Sequence, residues 1–216
     1  MIPARALRAG VVMRRLLLVA VLLALPGVAR AQTPLPPFPP DRVAVAGTAD
    51  TFDPLRAFLR DFRSAVGAEY HVCVVARSAP LPGPERSDTA VEYVDRVWEA
   101  WVPQGLDPAR AVVVLLALEN RGVAVHPGSR WAALGFERGT ITQVIDRSPF
   151  AQHARAGDHA GAVERLIQAI DLHLGLREAD RAKAGQEAQR RLAQVRDRLA
   201  QARARVDALP YEHAPA

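Results

Sequence analysis

Two aspartates and two arginines are the residues of this chain whose chemistry could support phosphoryl transfer. Asp53 or Asp107 could act as a carboxylate, and Arg121 or Arg130 could hold a phosphate through paired hydrogen bonds. The aspartates also have a simpler interpretation, because both precede a proline, a setting typical of helix caps and turns. Arg121 falls in a predicted hairpin turn, where a solvated charge is ordinary. Turn chemistry explains these residues fully, so the sequence assigns no catalytic residue.

The histidines give no zinc signature. His153 and His159 stand six positions apart, which misses the i, i+4 spacing that places two imidazoles on one helix face, and no cysteine accompanies them. The other histidines considered, His71, His126 and His173, are predicted to be structural. The sequence also lacks a Gly-x-Ser-x-Gly elbow, a P-loop and a dinucleotide fingerprint. Catalysis by a familiar triad is therefore excluded.

Cys73 is the single cysteine of the chain. It lies between two valines in an apolar run, which favours a buried small hydrophobe over a reactive thiol. With one thiol the chain cannot form an internal disulfide, so its apolar core must hold it together.

Residues 1–31 have the pattern of a cleavable secretory signal peptide. A basic leader without acidic residues precedes an apolar run over 16–25, and Ala29-Arg30-Ala31 supplies a cleavage site. The apolar run is shorter than the roughly 20 residues of a spanning helix, which favours cleavage before Gln32 over an uncleaved anchor. We therefore expect an exported protein, periplasmic or secreted, with no membrane span after cleavage.

The charge balance changes once the signal peptide is set aside. The chain has 28 Lys and Arg against 23 Asp and Glu, and five of the arginines lie within residues 1–31. The mature protein is formally neutral, so the high isoelectric point is no argument for nucleic-acid binding. The proline-rich stretch at 32–50 is predicted to be an extended linker rather than a proline-recognition ligand.

The apolar runs at 70–76 and 111–118 are short and rich in valine, which predicts two buried strands. A helix at 88–101 lies between them, so a right-handed βαβ crossover is the natural connection. Residues 119–122 predict a turn, after which 123–126 returns antiparallel as a hairpin strand.

Helical spacing predicts three further helices around these strands. One begins near Thr51 with Asp53 as a cap, one follows Thr140, and one follows Asp158 and ends at Gly175. The predicted order is α-β-α-β-β-α-α over residues 51–175. The fold class is therefore α/β, a small mixed sheet with helices on its faces.

The tail over 176–216 is rich in Ala, Arg, Gln and Glu and differs in kind from the domain. Its apolar residues recur at spacings of three and four, a heptad-like seam formed by Leu192, Val195, Leu199, Ala202, Val206 and Leu209. The tail is either a helix that folds back on the domain or extends into solvent, or a helix at 177–209 that pairs with a partner or a second copy.

The ordered set of these elements resembles the TPM domain of thylakoid-lumen and bacterial exported proteins, from about Phe52 to Leu174. The segments that carry the resemblance are Ala65-Val66-Gly67, Val72-Cys73-Val74-Val75, Val97-Trp98, Val112–Ala117, the Arg121 hairpin, Val125-His126-Pro127-Gly128 and Ala156-Gly157-Asp158.

The resemblance implies one of two kinds of activity. Some members of the family are described as acid phosphatases whose acidic loops bind calcium or another divalent cation, and others are accessory factors of membrane complexes. Here the family's Asn-Asn-Gly loop reads Leu106–Arg110, and its paired aspartates read Glu119-Asn120. A further expected aspartate is replaced by the region Gly135–Arg138.

A hard cation prefers several convergent oxygen ligands, and the resemblance leaves four candidates: Asp107, Glu119, Asn120 and Glu137. Because the acidic loops are altered, we expect a degenerate site. The predicted function is an accessory or scaffold factor of a cell-envelope complex, with a metal-assisted acid phosphatase as the alternative. A third class, membrane-surface binding through the arginine-rich tail, predicts salt-sensitive attachment to anionic lipid.

Overall fold

The computed structural model describes residues 33–78 and 87–207. Its centre is a four-stranded mixed sheet in the order β1-β2-β3-β4. The strands are β1 (Val43–Ala46), β2 (Glu69–Val75), β3 (Ala111–Ala117) and β4 (Gly122–Pro127). The first three strands are parallel and β4 is antiparallel to β3. The predicted α/β class, the parallel pairing of the two central strands and the hairpin are all confirmed.

Helices cover both faces of the sheet. They are α1 (Asp53–Asp61), α2 (Ser87–Trp101), α3 (Ser129–Ala132), α4 (Arg138–Arg147), α5 (Phe150–Arg155) and α6 (His159–Asp207), and a 3-10 turn at Val102–Gln104 follows α2. One buried cluster joins the sheet to α2, and a second joins its other face to α1, α4, α5 and the first part of α6.

The alternation of side chains along β2 explains why its second half, residues 72–75, is apolar throughout. Val72 and Val74 belong to the cluster that includes α1 and α6, whereas Cys73 and Val75 belong to the cluster that includes α2. A strand buried on both faces needs apolar side chains at odd and even positions alike. The predicted burial of Cys73 is confirmed, since its side chain is 0% exposed.

The predicted linker at 32–50 is wrong in part, because it contains the edge strand β1. The backbone carbonyl of Arg42 accepts the N–H of Val72 at 2.8 Å, and that of Ala46 accepts the N–H of Ala76 at 3.0 Å. Four residues of alternating valine and alanine between proline-rich and glycine-containing stretches give a weak local pattern. Pairing with β2 therefore decides the conformation of this segment.

The proline-rich segment before β1 is not a free tether either. The carbonyl oxygens of Thr33 and Pro34 accept hydrogen bonds from the Tyr93 hydroxyl at 3.0 Å, and the carbonyl of Pro36 accepts one from Trp101 Nε1 at 2.9 Å. An extended proline-rich backbone makes no internal hydrogen bonds, so its carbonyls are free to accept from neighbours. Buried aromatic donors of α2 use those acceptors and dock the segment on the domain.

Two predicted helix starts are displaced. Phe52, at φ 54°, occupies the cap position of α1, and Asp50 rather than Asp53 accepts its N–H at 3.0 Å. Thr140 lies inside α4, where its hydroxyl donates to the carbonyl of Gly135 at 3.0 Å. Hydroxyl and carboxyl side chains bond to nearby backbone in several local geometries, so their position in the sequence fixes a helix start poorly.

The predicted end of the last helix at Gly175 is also wrong. Helix α6 runs 49 residues without interruption, so the predicted boundary between domain and tail falls inside one helix. A glycine in a helix interior costs about 1 kcal/mol, which the packed residues before it and the strong helix formers after it offset. In the part of the chain that the structure describes, no helix combines the length and hydrophobicity needed to cross a membrane.

Candidate functional site

Two of the predicted metal ligands lie at the carboxyl edge of the parallel strands, in the turn between β3 and β4. There Glu119 forms an ion pair with Arg77, just beyond the end of β2. The Oδ1 atom of Asn120 accepts the backbone N–H of Ser78 at 2.9 Å. Both side chains therefore tie the turn to the end of β2, and these contacts occupy oxygens that a cation would need.

Asp107 lies at the opposite edge of the sheet, before β3 begins. Its carboxylate accepts the backbone N–H of Ala109 at 2.8 Å and the Nε–H of Arg110 at 2.9 Å. The hydrogen bond from Arg110, followed by the backbone bonds, holds the pKa of Asp107 below its usual range. These contacts confirm the turn interpretation of Asp107.

The other predicted candidates are dispersed. Glu137 is exposed at the cap position of α4. Arg130 pairs with Glu178 of α6 and lies 4.7 Å over the ring of Trp131. Asp53 opens α1 and accepts the hydroxyl of Thr51 at 2.8 Å.

The four predicted ligands do not converge on one point. The length of β3 separates Asp107 from Glu119, roughly 20 Å for a seven-residue strand. Within residues 33–78 and 87–207, no group of three or more His, Cys, Asp or Glu side chains could hold an ion. Calcium or another divalent cation stays a prediction, with Glu119 and Asn120 as the two candidates that lie together.

A cleft of about 530 Å³ opens at the same carboxyl edge, between the end of β3, α5 and the start of α6. We call it the Arg121 cleft. Its floor is apolar and includes Leu116, Leu118, Phe150, Ala151 and Ala154. Arg121, Arg155 and His159 line it with polar or charged atoms, and no acidic residue does so.

The two arginines of the Arg121 cleft are not neutralised by any side chain in the part of the chain that the structure describes. Arg121 and Arg155 are exposed and form no ion pair among the described residues. The adjoining acid, Asp158, is engaged elsewhere, because it binds His153 Nδ1 and the N–H of Gly161. The sequence indicates Arg121 as a phosphate ligand, considers His159 only for zinc and gives no signal for Arg155, since only the topology brings α5 beside the hairpin.

Arg121 also has an unusual backbone. Its φ is 50°, in the left-handed region that favours glycine. A side chain held there costs about 1 kcal/mol or more, and such strain concentrates at functional positions.

A larger cleft of about 850 Å³ lies at the opposite, amino edge of the sheet. Five arginines line it, but acids in or beside the cleft compensate two of them: Arg56 pairs with Asp41, and Arg110 pairs with Glu69. Two of the five arginines are therefore paired here, whereas neither arginine of the Arg121 cleft pairs with a described residue, and no acid lines that cleft.

The buried side chains of His71 and Cys73 are uncharged parts of the packed domain. Burial lowers the pKa of His71 to about 4, with Arg42 adding to the effect, and burial raises the pKa of Cys73 to about 12. Both groups are neutral at pH 7. The raised pKa keeps the Cys73 thiol protonated, in keeping with its packing between buried side chains.

Asp171 of α6 anchors the helix to the domain through a buried network. It accepts the N–H of Ala65 at 3.0 Å and the Tyr70 hydroxyl at 3.1 Å, and it also binds the Ser64 hydroxyl. Burial, followed by the charge of Asp171, raises the pKa of Tyr70 above its usual range.

The second half of α6 leaves the domain. Arg177 donates to the carbonyl of Leu134 at 3.1 Å and Glu178 pairs with Arg130, and residues 180–206 beyond them are exposed. The exposed fractions of Leu192, Val195 and Leu199 are 52%, 51% and 65%.

These exposed residues continue the buried face of the same helix. One face of α6 can be followed along its length at spacings of three or four residues. Its first four positions are buried in the core and the later ones lie beyond the domain: Val163, Leu166, Ile170, Leu174, Arg177, Arg181, Ala184, Ala188, Leu192, Val195, Leu199, Ala202 and Val206. We call the part from Leu192 to Val206 the tail seam.

Comparisons with known proteins give matches of low similarity to solved structures. No protein-family model matches the chain, and no curated protein matches it. The N-terminal domain of a protein from P. gingivalis, solved by NMR, is 17% identical with a TM-score of 0.43, covering 61% of this chain and 80% of that one. The N-terminal domain of the cg2496 protein from Corynebacterium glutamicum is 16% identical with a TM-score of 0.41, covering 64% and 82%. These values assign neither family nor function.

Proposed function

We propose that this chain is an exported, TPM-type accessory factor that binds a protein of a cell-envelope complex through the tail seam. The observation that carries the proposal is the exposed second half of α6, whose apolar residues continue the core-facing stripe of the first half. A helix that is stable only as a solvated extension has no need of an aliphatic stripe at heptad spacing.

The charges beside the tail seam define the chemistry of the partner. With Leu192, Leu199 and Val206 at positions a, and Val195 and Ala202 at positions d, every flanking e and g position from 191 to 205 is arginine: Arg191, Arg196, Arg198, Arg203 and Arg205. Of these, Arg191 lies 3.9 Å from Glu187, and the other four form no ion pair among the described residues. The seam fits an amphipathic helix with aspartate or glutamate on both flanks.

The same charges disfavour a second copy of this chain over 191–206. In a parallel pair the g positions face e positions, and in an antiparallel pair g faces g and e faces e. Either arrangement sets arginine against arginine, and like charges at these positions oppose pairing. The partner is therefore a different protein.

A membrane surface is a poorer fit than an acidic helix. Helices that bind the lipid interface carry wide apolar faces, often with Trp or Phe. The tail seam is narrow and aliphatic, with one alanine among its five residues. This pattern matches the contact stripe of a two-helix pair.

The test uses the full mature protein and two synthetic helices of three heptads, each with leucine at a and d. One peptide carries glutamate at e and g and the other carries lysine. We expect the glutamate peptide to bind, more weakly at high salt, and the lysine peptide to fail. Arg196→Glu with Arg203→Glu should largely remove this preference, because three arginines then face two glutamates along the seam, whereas the matched variant Arg190→Glu, outside the seam, should leave it unchanged.

Two results would contradict the proposal. Equal binding of both peptides would show that the arginines beside the tail seam do not select an acidic partner. Sedimentation with anionic vesicles in place of peptide binding would assign the tail to the lipid surface. Export has a separate test, because we expect the mature protein recovered from a bacterial envelope fraction to begin at Gln32.

The alternative, a metal-assisted acid phosphatase, has its own assay. The mature protein would be incubated with a generic phosphomonoester, with and without calcium or magnesium. We expect no hydrolysis that chelation abolishes, because Glu119 and Asn120 are held by Arg77 and Ser78. Chelator-sensitive activity that Glu119→Ala and Asp107→Asn both reduce would favour the enzyme.

A further inference from the structure

We propose that the Arg121 cleft binds a single-chain anionic amphiphile, an aliphatic chain that ends in a carboxylate or a phosphate. The proposal does not depend on the tail seam, which lies on the exposed half of α6. It rests on four features of the cleft: its volume, its apolar floor, its uncompensated cations and the strained backbone of Arg121.

The volume and floor fit an aliphatic chain. About 530 Å³ falls within the roughly 300–1,000 Å³ range of small-molecule sites. The aliphatic and aromatic carbons of Leu116, Leu118 and Phe150 form part of the floor, and Ala151 and Ala154 of α5 complete one wall with small side chains. An apolar chain that enters this space leaves water without giving up hydrogen bonds.

The cations fit an anionic head group. Arg121 reaches the cleft from the hairpin turn, and Arg155 reaches it from the end of α5. A guanidinium binds a carboxylate or phosphate through two parallel hydrogen bonds, so two arginines with no ion pair to a described residue favour an anion over a neutral or cationic head group. His159, at the start of α6, also lines the cleft beside the two arginines.

The conformation of Arg121 supports the same conclusion. A glycine would adopt φ 50° at lower cost, and the N–H of Arg121 already bonds the carbonyl of Leu118 at 3.3 Å whatever the side chain. The backbone of the turn therefore does not require arginine, and the side chain of Arg121 is available for contact with a ligand.

The full mature protein is titrated by calorimetry with three amphiphiles and one salt. The amphiphiles are dodecanoate, dodecyl phosphate and dodecyltrimethylammonium, each below its critical micelle concentration, and the salt is inorganic phosphate. Binding of either anionic amphiphile, with dodecyltrimethylammonium at least ten-fold weaker, supports the proposal. The two anionic probes distinguish a carboxylate ligand from a phosphate ligand. If inorganic phosphate binds as tightly as dodecyl phosphate, the apolar floor does not contribute to binding and the proposal of an amphiphile is wrong.

Variants locate the site. Arg121→Gln and Arg155→Gln should each weaken binding about ten-fold, the loss expected for one charge-assisted contact. Ala151→Trp, at an exposed position on α5, should fill the cleft and abolish binding without unfolding the protein. Arg147→Gln removes an exposed arginine of α4 that does not line the cleft and should have no effect.

Two outcomes overturn the proposal. One is the absence of binding by every anionic amphiphile, and the other is binding that Arg121→Gln, Arg155→Gln and Ala151→Trp all leave unchanged. Leu199→Asp, in the tail seam, should not alter amphiphile binding. A failure at the seam and a failure at the cleft are therefore separable.

Discussion

The two halves of α6 carry the same apolar spacing and meet different surroundings. In the first half Val163, Leu166, Ile167 and Ile170 are no more than 1% exposed and Asp171 is tied to three donors of the domain. In the second half Leu192, Val195 and Leu199 are more than half exposed. Hydrophobic periodicity thus predicts which face of a helix seeks a partner, but the partner can be the helix's own domain or another molecule.

The largest expected difference between the halves is in core packing. Ile167→Ala should lower the free energy of unfolding by about 3 kcal/mol, because it leaves a cavity in a closed cluster. Leu199→Ala should change it by less than about 0.5 kcal/mol, since the side chain is already 65% exposed. Urea denaturation of the mature protein measures both. Similar losses in the two variants would mean that the second half is also packed.

Acid should weaken the domain and spare the second half. Burial lowers the pKa of His71 to about 4 in the folded state, whereas the unfolded chain binds a proton near pH 6.5. The stability that neutral His71 provides is therefore present above pH 6.5 and is lost as the pH falls towards 4, by up to about 3 kcal/mol. Residues 178–207 contain no histidine.

The check is a series of unfolding curves between pH 7 and pH 4. In His71→Leu the slope over this range should flatten. An unchanged slope in that variant would show that another group governs the acid response.

A polar contact gives a third comparison. Asp171→Ala should cost about 2 kcal/mol, because the N–H of Ala65 and the hydroxyl of Tyr70 lose a buried acceptor. Asp197→Ala, on the exposed half, should be close to neutral. Thermal unfolding of the two variants measures the contrast, and a loss at Asp197 equal to that at Asp171 would contradict it.

The smallest effect is expected from replacing one glycine by alanine in each half of α6. A methyl group at Gly175 would meet Val66 Cγ1 at 3.7 Å, an ordinary contact, and one at Gly185 would meet nothing within 4 Å. Each change to alanine should favour the helix by about 0.5–1 kcal/mol. Gly175→Ala should raise global stability, whereas Gly185→Ala should raise only local protection of the tail in hydrogen exchange.

Strong local patterns made most of the fold predictable. The valine-rich runs of β2 and β3, the hairpin turn and the apolar face of α2 follow from composition and periodicity. The edge strand β1 was missed because alternating valine and alanine over four residues is a weak signal without its neighbour. The sequence predicts the end of α6 too early because Gly175 is a typical helix stop, whereas packing before it and helix propensity after it outweigh its cost.

The candidate site was less predictable for a topological reason. Asp107 and Glu119 stand close in sequence, yet β3 sends them to opposite edges of the sheet. Arg121 and Arg155 stand far apart in sequence, yet α5 returns beside the hairpin and brings them to one cleft. Residue types indicate which chemistry is available, and only the path of the chain decides which groups meet.

The uninterrupted course of α6 through Gly175 fixes the direction and the reach of the tail seam together. Residues 178–207 extend for about 45 Å at about 1.5 Å per residue. Deleting one residue from the exposed stretch would turn the seam by about 100° around the helix axis, whereas deleting seven would shorten the rod by about 10 Å and nearly restore its azimuth. The length of the helix therefore sets how far from the sheet a partner is bound, and its rotational phase sets the direction in which the partner faces.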